Sequence, residues 1–509
     1  MSGTVLTTVV VPTVGRASLS RVLAAVRPRA GWSVADVVVV DDRPDDDGPD
    51  DDGDARPGLA VGDDVRVVRS YGRGPAGARN VGIRAARTPW VSFLDDDVEP
   101  ELDWLAHLAA DLAEAPPDVA GIQGRVVVPL TTERRPDDFA RSTAGLATAR
   151  WITADMTYRR AALLSAGGFD ERFPRAYRED ADLALRVQRN GARLVRGRRT
   201  VVHPVRAESD GISVRQQRGN ADDRLMDALH GPQWRARADA PRGRISRHVA
   251  VTACAVAAGA GLLTRRRRVG TLALAAWAAG TTDLFLHRWL PGSRSAAETR
   301  RMAWTSAVIP VAATWHSAQG WWRHRRAAPW PEQRWLVLFD RDGTLVHDVP
   351  YNADPEKVDP VDGAAEALAV LRGGGAYVGV VTNQSGVGRG LLTHDEVDAV
   401  NARVDELLGP FDVWKVCPHA PDDGCDCRKP GPAMVRDACG ELGVPEERCV
   451  VIGDIGADVD AARAAGATGI LVPTAVTRPE EVTAAAFVRA DLQSSVASVL
   501  AWMGQGEPR

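Results

Sequence analysis

The sequence predicts an α/β protein with two doubly wound domains joined by a helical middle segment. Three observations lead there. From residue 1 to about 235, short β-branched runs alternate with amphipathic stretches of helical period, the pattern of strands and helices wound about a sheet. Between about 245 and 325 the strands stop, and three apolar runs separated by arginine clusters follow. After the Pro-containing stretch "RRAAPWPEQR" the α/β alternation returns. At 509 residues the chain exceeds what one core usually supports. The expected units are therefore 1–235, 236–330 and 331–509.

Composition narrows the function. A formal net charge of −4 argues against a general nucleic-acid binder, which would carry a strongly basic face. Sixty arginines against three lysines, with much Ala, Val, Gly and Asp, reflect a GC-rich coding bias. Six cysteines in so long a chain make no disulfide framework, so the reducing cytosol is the expected compartment. "MSGTVLTTVVVPT" has no basic stretch before its apolar run and reads as a strand ended by Pro12 and Thr13, not as a secretory signal.

In the N-terminal unit the strand candidates are "TVLTTVVVP", "ADVVVVDD", "VRVVRS" and "WVSFLDDD", and "LSRVLAAV" and "LDWLAHLAADLAEA" read as helices. The alternation implies a parallel sheet. The run "DDRPDDDGPDDDGD" from Asp41 reads as a solvated loop, because its Pro and Gly break any helix. In "VSFLDDDVEP", Asp95 and Asp97 leave a strand end on one side, a pair able to chelate a divalent cation beside a nucleotide diphosphate. Glu179 and Asp180 precede an amphipathic helix. "GRGPAGARN" contains a formal G-x-G-x-x-G, Gly72, Gly74 and Gly77, yet it follows a later strand and includes Pro75, unlike a dinucleotide fingerprint.

Together these stretches resemble inverting family 2 glycosyltransferases of the GT-A fold over roughly residues 5–235. The resemblance implies a nucleotide-sugar donor, with Asp41 or Asp42 at the base and ribose and Arg79 near the diphosphate. It also implies Mn²⁺ or Mg²⁺ at Asp95 and Asp97, and Asp180 as the general base that takes the acceptor's hydroxyl proton. His203 in "VVHP" is either a further metal ligand or a core histidine. The long acidic loop after the second strand departs from the family's short polar turn, which leaves the base contacts open.

The apolar runs of the middle unit cover 249–263, 269–286 and 302–315. A spanning helix needs about 20 apolar residues. Two runs fall short and 269–286 contains Asp283. A hairpin of the first two would also put Arg265 to Arg268 outside, against the positive-inside tendency. The basic, Trp-rich flanks instead fit helices lying on the anionic inner face of the cell membrane. The alternatives are a helical linker packed on the transferase and, after it, true membrane spans.

In the C-terminal unit, "LFDRDGTL" ends a buried strand at Asp340 and puts Asp342 two residues on, before Gly343. Two acids so placed suit covalent phosphoryl transfer, one attacking phosphorus and the other protonating the leaving oxygen. "VVTNQSG" supplies Thr382 and Asn383 for phosphate contacts, Arg428 and Lys429 offer cations, and "VIGDIGADVD" supplies Asp454 with Asp458 in support. In order and spacing these pieces resemble the haloacid dehalogenase superfamily of phosphatases over roughly residues 335–500. That resemblance implies Asp340 as nucleophile, Asp342 as acid/base, Thr382 on phosphate, Lys429 as charge stabiliser, and Mg²⁺ held by Asp340, Asp342 and Asp454.

Cys417, His419, Cys425 and Cys427 read C-x-H-x5-C-x-C in a loop rich in Pro, Asp and Gly. Four soft ligands with no core to be buried in suit a closed, structural Zn²⁺ site, a staple for the loop that carries Lys429. Cys254, Cys439 and Cys449 read as buried free cysteines. The zinc loop with "FDRDGTL" and "TNQSGVGRG" is similar to the branch of heptose bisphosphate and histidinol-phosphate phosphatases. The expected protein is a bifunctional cytoplasmic enzyme acting on a nucleotide sugar and a small sugar phosphate. Its rival is a phosphatase, on histidinol phosphate or another small phosphate, whose N-terminal half only binds a nucleotide or scaffolds.

Overall fold

The computed structural model describes residues 3–44, 59, 61–62, 64–130, 135–206, 208–327, 329–330 and 334–505. The acidic run from residue 45 onward lies outside the described residues. The first sheet contains β1 (Gly3–Thr13), β2 (Trp32–Asp41), β3 (Arg66–Arg69), β4 (Trp90–Leu94), β5 (Glu99–Pro100), β6 (Val119–Val127), β7 (Asp155–Arg159) and β8 (Arg193–Val202). Its order is β3-β2-β1-β4-β7-β6-β8-β5. Around it run α1 (Leu19–Val26), α2 (Gly74–Ala85), α3 (Trp104–Ala113), α4 (Asp138–Ala144), α5 (Glu179–Arg189) and α6 (Gly219–His230).

Alternation along β1 builds both faces. Val10 joins Ile83 and Leu183 in one core, while Val9 and Val11 join Val22 and Leu108 in the other. This is the period-two consequence of an extended backbone. The parallel sheet expected from the sequence is in fact mixed. β1 runs parallel to β2 and β4, but β7 is antiparallel to both β4 and β6. Between β6 and β7 the chain passes through α4 and returns beside β6 in the opposite direction. The glycine stretch at 72–77 opens α2 directly after the edge strand β3. Gly72 and Gly74 take positive φ, and Pro75 sits in the first turn, where its missing N–H is harmless.

The middle unit forms α7 (Ile245–Leu263), α8 (Arg267–Trp289) and α9 (Ala296–His324). Here the sequence expectation needs correction. The run 249–263, judged too short, extends into the 19 residues of α7, and the run 269–286, set aside for Asp283, extends into the 23 residues of α8; both helices are long and apolar enough to cross a membrane by length and composition. The flanking residues continue the helices because nothing in them breaks helical backbone. One face of α9, with Met302, Ile309 and Ala313, is buried, and Gly320 lies against the Ala221 backbone of α6.

The second sheet is parallel throughout, in the order β11-β10-β9-β12-β13. Its strands are β9 (Leu336–Phe339), β10 (Tyr377–Asn383), β11 (Val413–Cys417), β12 (Cys449–Gly453) and β13 (Thr468–Leu471). Val337 and Phe339 enter one core and Leu336 and Leu338 the other, so both faces are covered. The carboxyl ends of β9, β10 and β12, the three central strands, converge on one edge. That edge is where an open α/β sheet places its site. An ion pair from Arg84 of α2 to Asp412 (2.8 Å) and a hydrogen bond from Tyr71 to Asp405 (2.8 Å) join the two sheet domains.

Candidate active sites

At the C-terminal edge of the second sheet, Asp340 leaves β9, Thr382 and Asn383 end β10, and Asp454 follows β12. Lys429 arrives from the cysteine loop and is buried. Its Nζ lies 2.8 Å from Asp340 Oδ1 and 2.7 Å from Asp458 Oδ1, and donates to the Val381 carbonyl at 2.8 Å. Asp340, Asp454 and Asp458, all buried, bring one carboxylate oxygen each within 4.8 Å of one another. Gly343 has φ +76°, and a Cβ there would come 2.5 Å from Asp454 Oδ2, so this turn accepts only glycine.

Burial dominates the electrostatics. It lifts the Asp340 carboxyl to about 7 against the pull of Lys429, with Asp458 and Asp342 adding repulsion. Burial and the neighbouring Asp340 carry Asp454 to about 6. For Lys429 burial acts downward, but the two carboxylates prevail and raise it. Three buried acids, each raised above the usual carboxylate range by burial, beside one fixed cation form a site suited to a hard divalent cation with oxygen ligands.

Asp342 lies apart from this cluster. Its carboxylate accepts from Gln384 Nε2 at 2.8 Å and pairs with Arg341 at 3.0 Å. The acidic ligand group thus contains Asp458 where Asp342 was expected, because Asp342 points toward the open side and Asp458 comes up from α11 (Gly456–Ala465; α10 is Ala433–Leu442). Gln384 also donates to Thr382 Oγ1 at 2.9 Å, linking Asp342 to Thr382. Asn383 grips Lys429 on both sides: Lys429 N–H donates to its Oδ1 (3.0 Å) and its Nδ2 donates to the Lys429 carbonyl (3.2 Å). Arg428 Nη1 reaches the His419 carbonyl at 3.4 Å, back into the loop.

In that loop Cys417 Sγ lies 3.7 Å from His419 Nδ1, 3.7 Å from Cys425 Sγ and 3.3 Å from Cys427 Sγ, and His419 Nδ1 lies 3.2 Å from Cys427 Sγ. The four ligand atoms therefore already surround a common centre. Burial and the neighbouring thiols push Cys427 up to about 12, and burial raises Cys417. Cys439 and Cys449 are buried free thiols and Cys254 is half-buried.

In the N-terminal domain a cleft of about 1070 Å³ opens at the ends of β1, β2 and β4. It is lined by Asp42, Arg79, Asp95, Asp97, Asp180 and His203, among others. Asp42 accepts from Ser70 Oγ at 2.7 Å, and burial raises its pKa. Asp41 is turned to Arg43 at 2.6 Å and does not line the cleft. Arg79 spans Glu179 (2.8 Å) and Asp95 (2.9 Å) while packing over Phe169. Asp97 pairs with Arg206 and lies 3.8 Å from His203 Nε2. Asp95 and Asp97 are thus each held by an arginine, and they belong to no group of three or more potential metal ligands among the described residues. Asp96 is fixed by Thr13 Oγ1 and Arg16, each at 2.6 Å. Asp180 accepts from Thr153 N–H at 3.0 Å and Thr153 Oγ1 at 3.3 Å, which orients it into the cleft. Burial, and then the Asp180 charge, raise Glu179 well above the usual carboxylate range.

A family model for glycosyl transferase family 2 matches residues 8–182, and a HAD-hydrolase-like model matches 426–498. The D-glycero-β-D-manno-heptose-1,7-bisphosphate 7-phosphatase of Pseudomonas putida is 38% identical over 144 residues, which is 27% of this chain and 82% of that protein. The Pseudomonas aeruginosa enzyme is 39% identical over 146 residues, 28% of this chain and 82% of its own length. The C-terminal domain is a HAD-family phosphatase. The N-terminal domain is a family 2 glycosyltransferase.

Among solved structures, the heptose bisphosphate phosphatase of Bordetella bronchiseptica with magnesium and phosphate aligns at 30% identity and TM-score 0.30, over 33% of this chain and 98% of that one. The mannosyltransferase PcManGT of Pyrobaculum calidifontis with GDP-Man and Mn²⁺ aligns at 20% identity and TM-score 0.37, over 62% of this chain and 87% of that one. In the HAD phosphatase domain, sequence reading named the acids, the lysine and the Cys/His cluster but missed Gln384, whose position directly after Thr382-Asn383 was the available signal. In the transferase domain it missed Arg206 and the role of Glu179 as Arg79's anchor. Neither stands in a motif with Arg79 or Asp97.

Proposed function

We propose that the phosphatase domain hydrolyses the phosphomonoester of a small sugar phosphate, of the heptose 1,7-bisphosphate kind, through an aspartyl-phosphate. The carrying observation is Lys429 Nζ bridging Asp340 and Asp458 with Asp454 alongside. Arg341 N–H and Lys429 both engage Asp340 Oδ1, which leaves Oδ2 for attack on phosphorus. As that bond forms, the bond to the sugar oxygen breaks and Asp342 donates the proton to it. Asp342, again a carboxylate, then takes a proton from water. The resulting hydroxide attacks phosphorus, and inorganic phosphate leaves as Asp340 is restored. Lys429 stabilises the equatorial oxygens, a preorganised contact worth about 3 kcal/mol in the transition state. Asp340, Asp454 and Asp458 fit Mg²⁺, which when bound neutralises phosphoryl charge. Cys417, His419, Cys425 and Cys427 fit a structural Zn²⁺.

For the N-terminal domain we propose glycosyl transfer from a nucleotide sugar, with Asp180 removing the acceptor's proton as its oxygen attacks the anomeric carbon. Arg79 and Asp42 line the donor side of the cleft. A cation at Asp95 and Asp97 requires Arg206 to release Asp97, and Asp97→Ala should abolish any Mn²⁺ or Mg²⁺ requirement together with transfer. Both substrate classes are cytosolic, so both sites face the cytoplasm. The deciding assay is phosphate release from a panel of sugar phosphates and histidinol phosphate by the full chain. Turnover of histidinol phosphate with none of the sugar phosphates would overturn the sugar reading. Transfer or donor hydrolysis unchanged in Asp180→Asn would overturn the assignment of the base.

A further inference from the structure

The pair α7–α8 is the one part of the middle unit that neither active site uses and that the described protein leaves almost uncovered. In α7 only Ala258 and Gly261 are buried, and in α8 only Gly270. The two helices pack on each other through those small residues. A Cβ on Gly261 would lie 2.6 Å from the Gly270 nitrogen, and one on Gly280 would lie 2.5 Å from Val251. The outward surface is largely aliphatic: Val256 is 68% exposed, Leu263 87% and Leu272 73%. This is an inverted helix pair, small inside and greasy outside, the arrangement of helices packed in lipid. A helix lying on a membrane surface needs one polar face, and neither helix has one.

Length and charge agree with this. At 1.5 Å per residue, 19 and 23 residues reach about 28 and 34 Å, against a hydrocarbon core of about 30 Å. Charges collect at the ends. Arg244 and Arg247 open α7, Arg265 to Arg268 span the turn and the start of α8, Arg288 lies in the last turn of α8, and Arg294 follows it. The one acid within, Asp283, lies 3.9 Å from Arg247 on the neighbouring helix, near the base of the pair. Arg288 fastens that base to the transferase through Asp138 (2.6 Å) and Ser213 (2.9 Å). Opposite the face that packs on α6, α9 adds an exposed stripe of Trp304, Val308, Val311, Trp315 and Trp322, the residue types of a membrane interface.

We propose that α7 and α8 insert as a hairpin into a lipid bilayer. The Arg265–Arg268 turn meets anionic headgroups of the far leaflet, and the α9 stripe rests on the near interface beside the base. Arginines on the near side, Arg242, Arg244, Arg247, Arg288, Arg294 and Arg300, outnumber the four at the turn, which sets the cytoplasmic side. The transferase cleft then sits close to the membrane, because its lining residues Ala238 to Pro241 lead directly into α7.

The test uses the full chain expressed in bacterial cells. It should remain in the membrane pellet through high salt and alkaline wash, and the double variant Val256→Asp/Leu272→Asp should move to the supernatant with phosphatase turnover unchanged. In intact cells a membrane-impermeant maleimide should label Arg266→Cys, while the native cysteines of the cytoplasmic domains stay protected. Release of the wild-type chain by either wash would overturn the proposal in favour of surface-lying helices or a linker. Labelling of Arg266→Cys only after lysis would overturn it equally.

Discussion

Removing one zinc ligand tests the link from loop to catalysis. A tetrahedral Zn²⁺ with Zn–S near 2.3 Å and Zn–N near 2.05 Å separates its ligands by about 3.8 Å for S–S and about 3.6 Å for S–N. The observed 3.3–3.7 Å for the sulfur pairs and 3.2–3.7 Å for the imidazole pairs need shifts of a few tenths of an ångström at most. Structural zinc sites contribute on the order of 10 kcal/mol or more of apparent folding free energy. Cys425→Ser therefore gives up most of what orders residues 417–427. The α/β core does not depend on it, since it is built from clusters such as Val337, Phe339, Val380 and Ile452. What moves is Lys429, whose main chain is held only two residues past the last ligand. A displacement of about 1 Å there costs roughly 10²-fold in turnover. We expect one zinc per wild-type chain by elemental analysis. Cys425→Ser should show sub-stoichiometric zinc, a circular dichroism spectrum like the wild type, and kcat down about 10²-fold. Acidification should strip the metal, because zinc must displace protons from Cys417 and Cys427, both held above their ordinary range. Zinc-free protein from a chelator-free preparation, or wild-type turnover by Cys425→Ser, would refute the reasoning.

Asp340→Asn should abolish phosphate release while leaving zinc content and fold intact, since an amide cannot attack phosphorus; turnover near wild type would remove Asp340 as nucleophile. With Asp340 near 7 and Asp454 near 6, protons compete with Mg²⁺, so the half-saturating Mg²⁺ concentration should rise as pH falls from above 7 to below 6. These raised values stabilise the metal-free fold below the unfolded pKa near 3.8, and that contribution is lost as pH rises through about 7. Added Mg²⁺ should accordingly raise Tm more above pH 7 than below pH 6, and a pH-independent shift would contradict the burial argument. Arg79→Met leaves the buried Glu179 and the adjoining Asp95 without their shared cation, and urea unfolding should register a loss of about 3–5 kcal/mol.

The residues of a site are legible in sequence when the chemistry is local. C-x-H-x5-C-x-C closes within eleven residues, so spacing alone brings four ligands together. Asp340, Thr382 and Asp454 were legible because a buried strand fixes where its last residue emerges. The transferase acids were legible in kind but not in arrangement. Asp95 and Asp97 were expected to face one cation, and the fold also sets an arginine against each, from α2 and from beyond β8.

The sequence by itself determined two α/β domains, the helical break between them, the Cys417–His419–Cys425–Cys427 cluster and the acids that gather with Lys429 at the strand ends. Each follows from hydrophobic period or from spacing over a few residues. Tertiary structure alone decided that β7 runs antiparallel, that Asp458 joins Asp340 and Asp454 while Asp342 turns to Gln384, and that α7 and α8 bury only glycine and alanine against each other. Contacts such as Lys429 to Asp340 or Gly343 to Asp454 join strand ends about a hundred residues apart. No local pattern encodes such a distance, and the closure is set by the order in which the sheet stacks its strands.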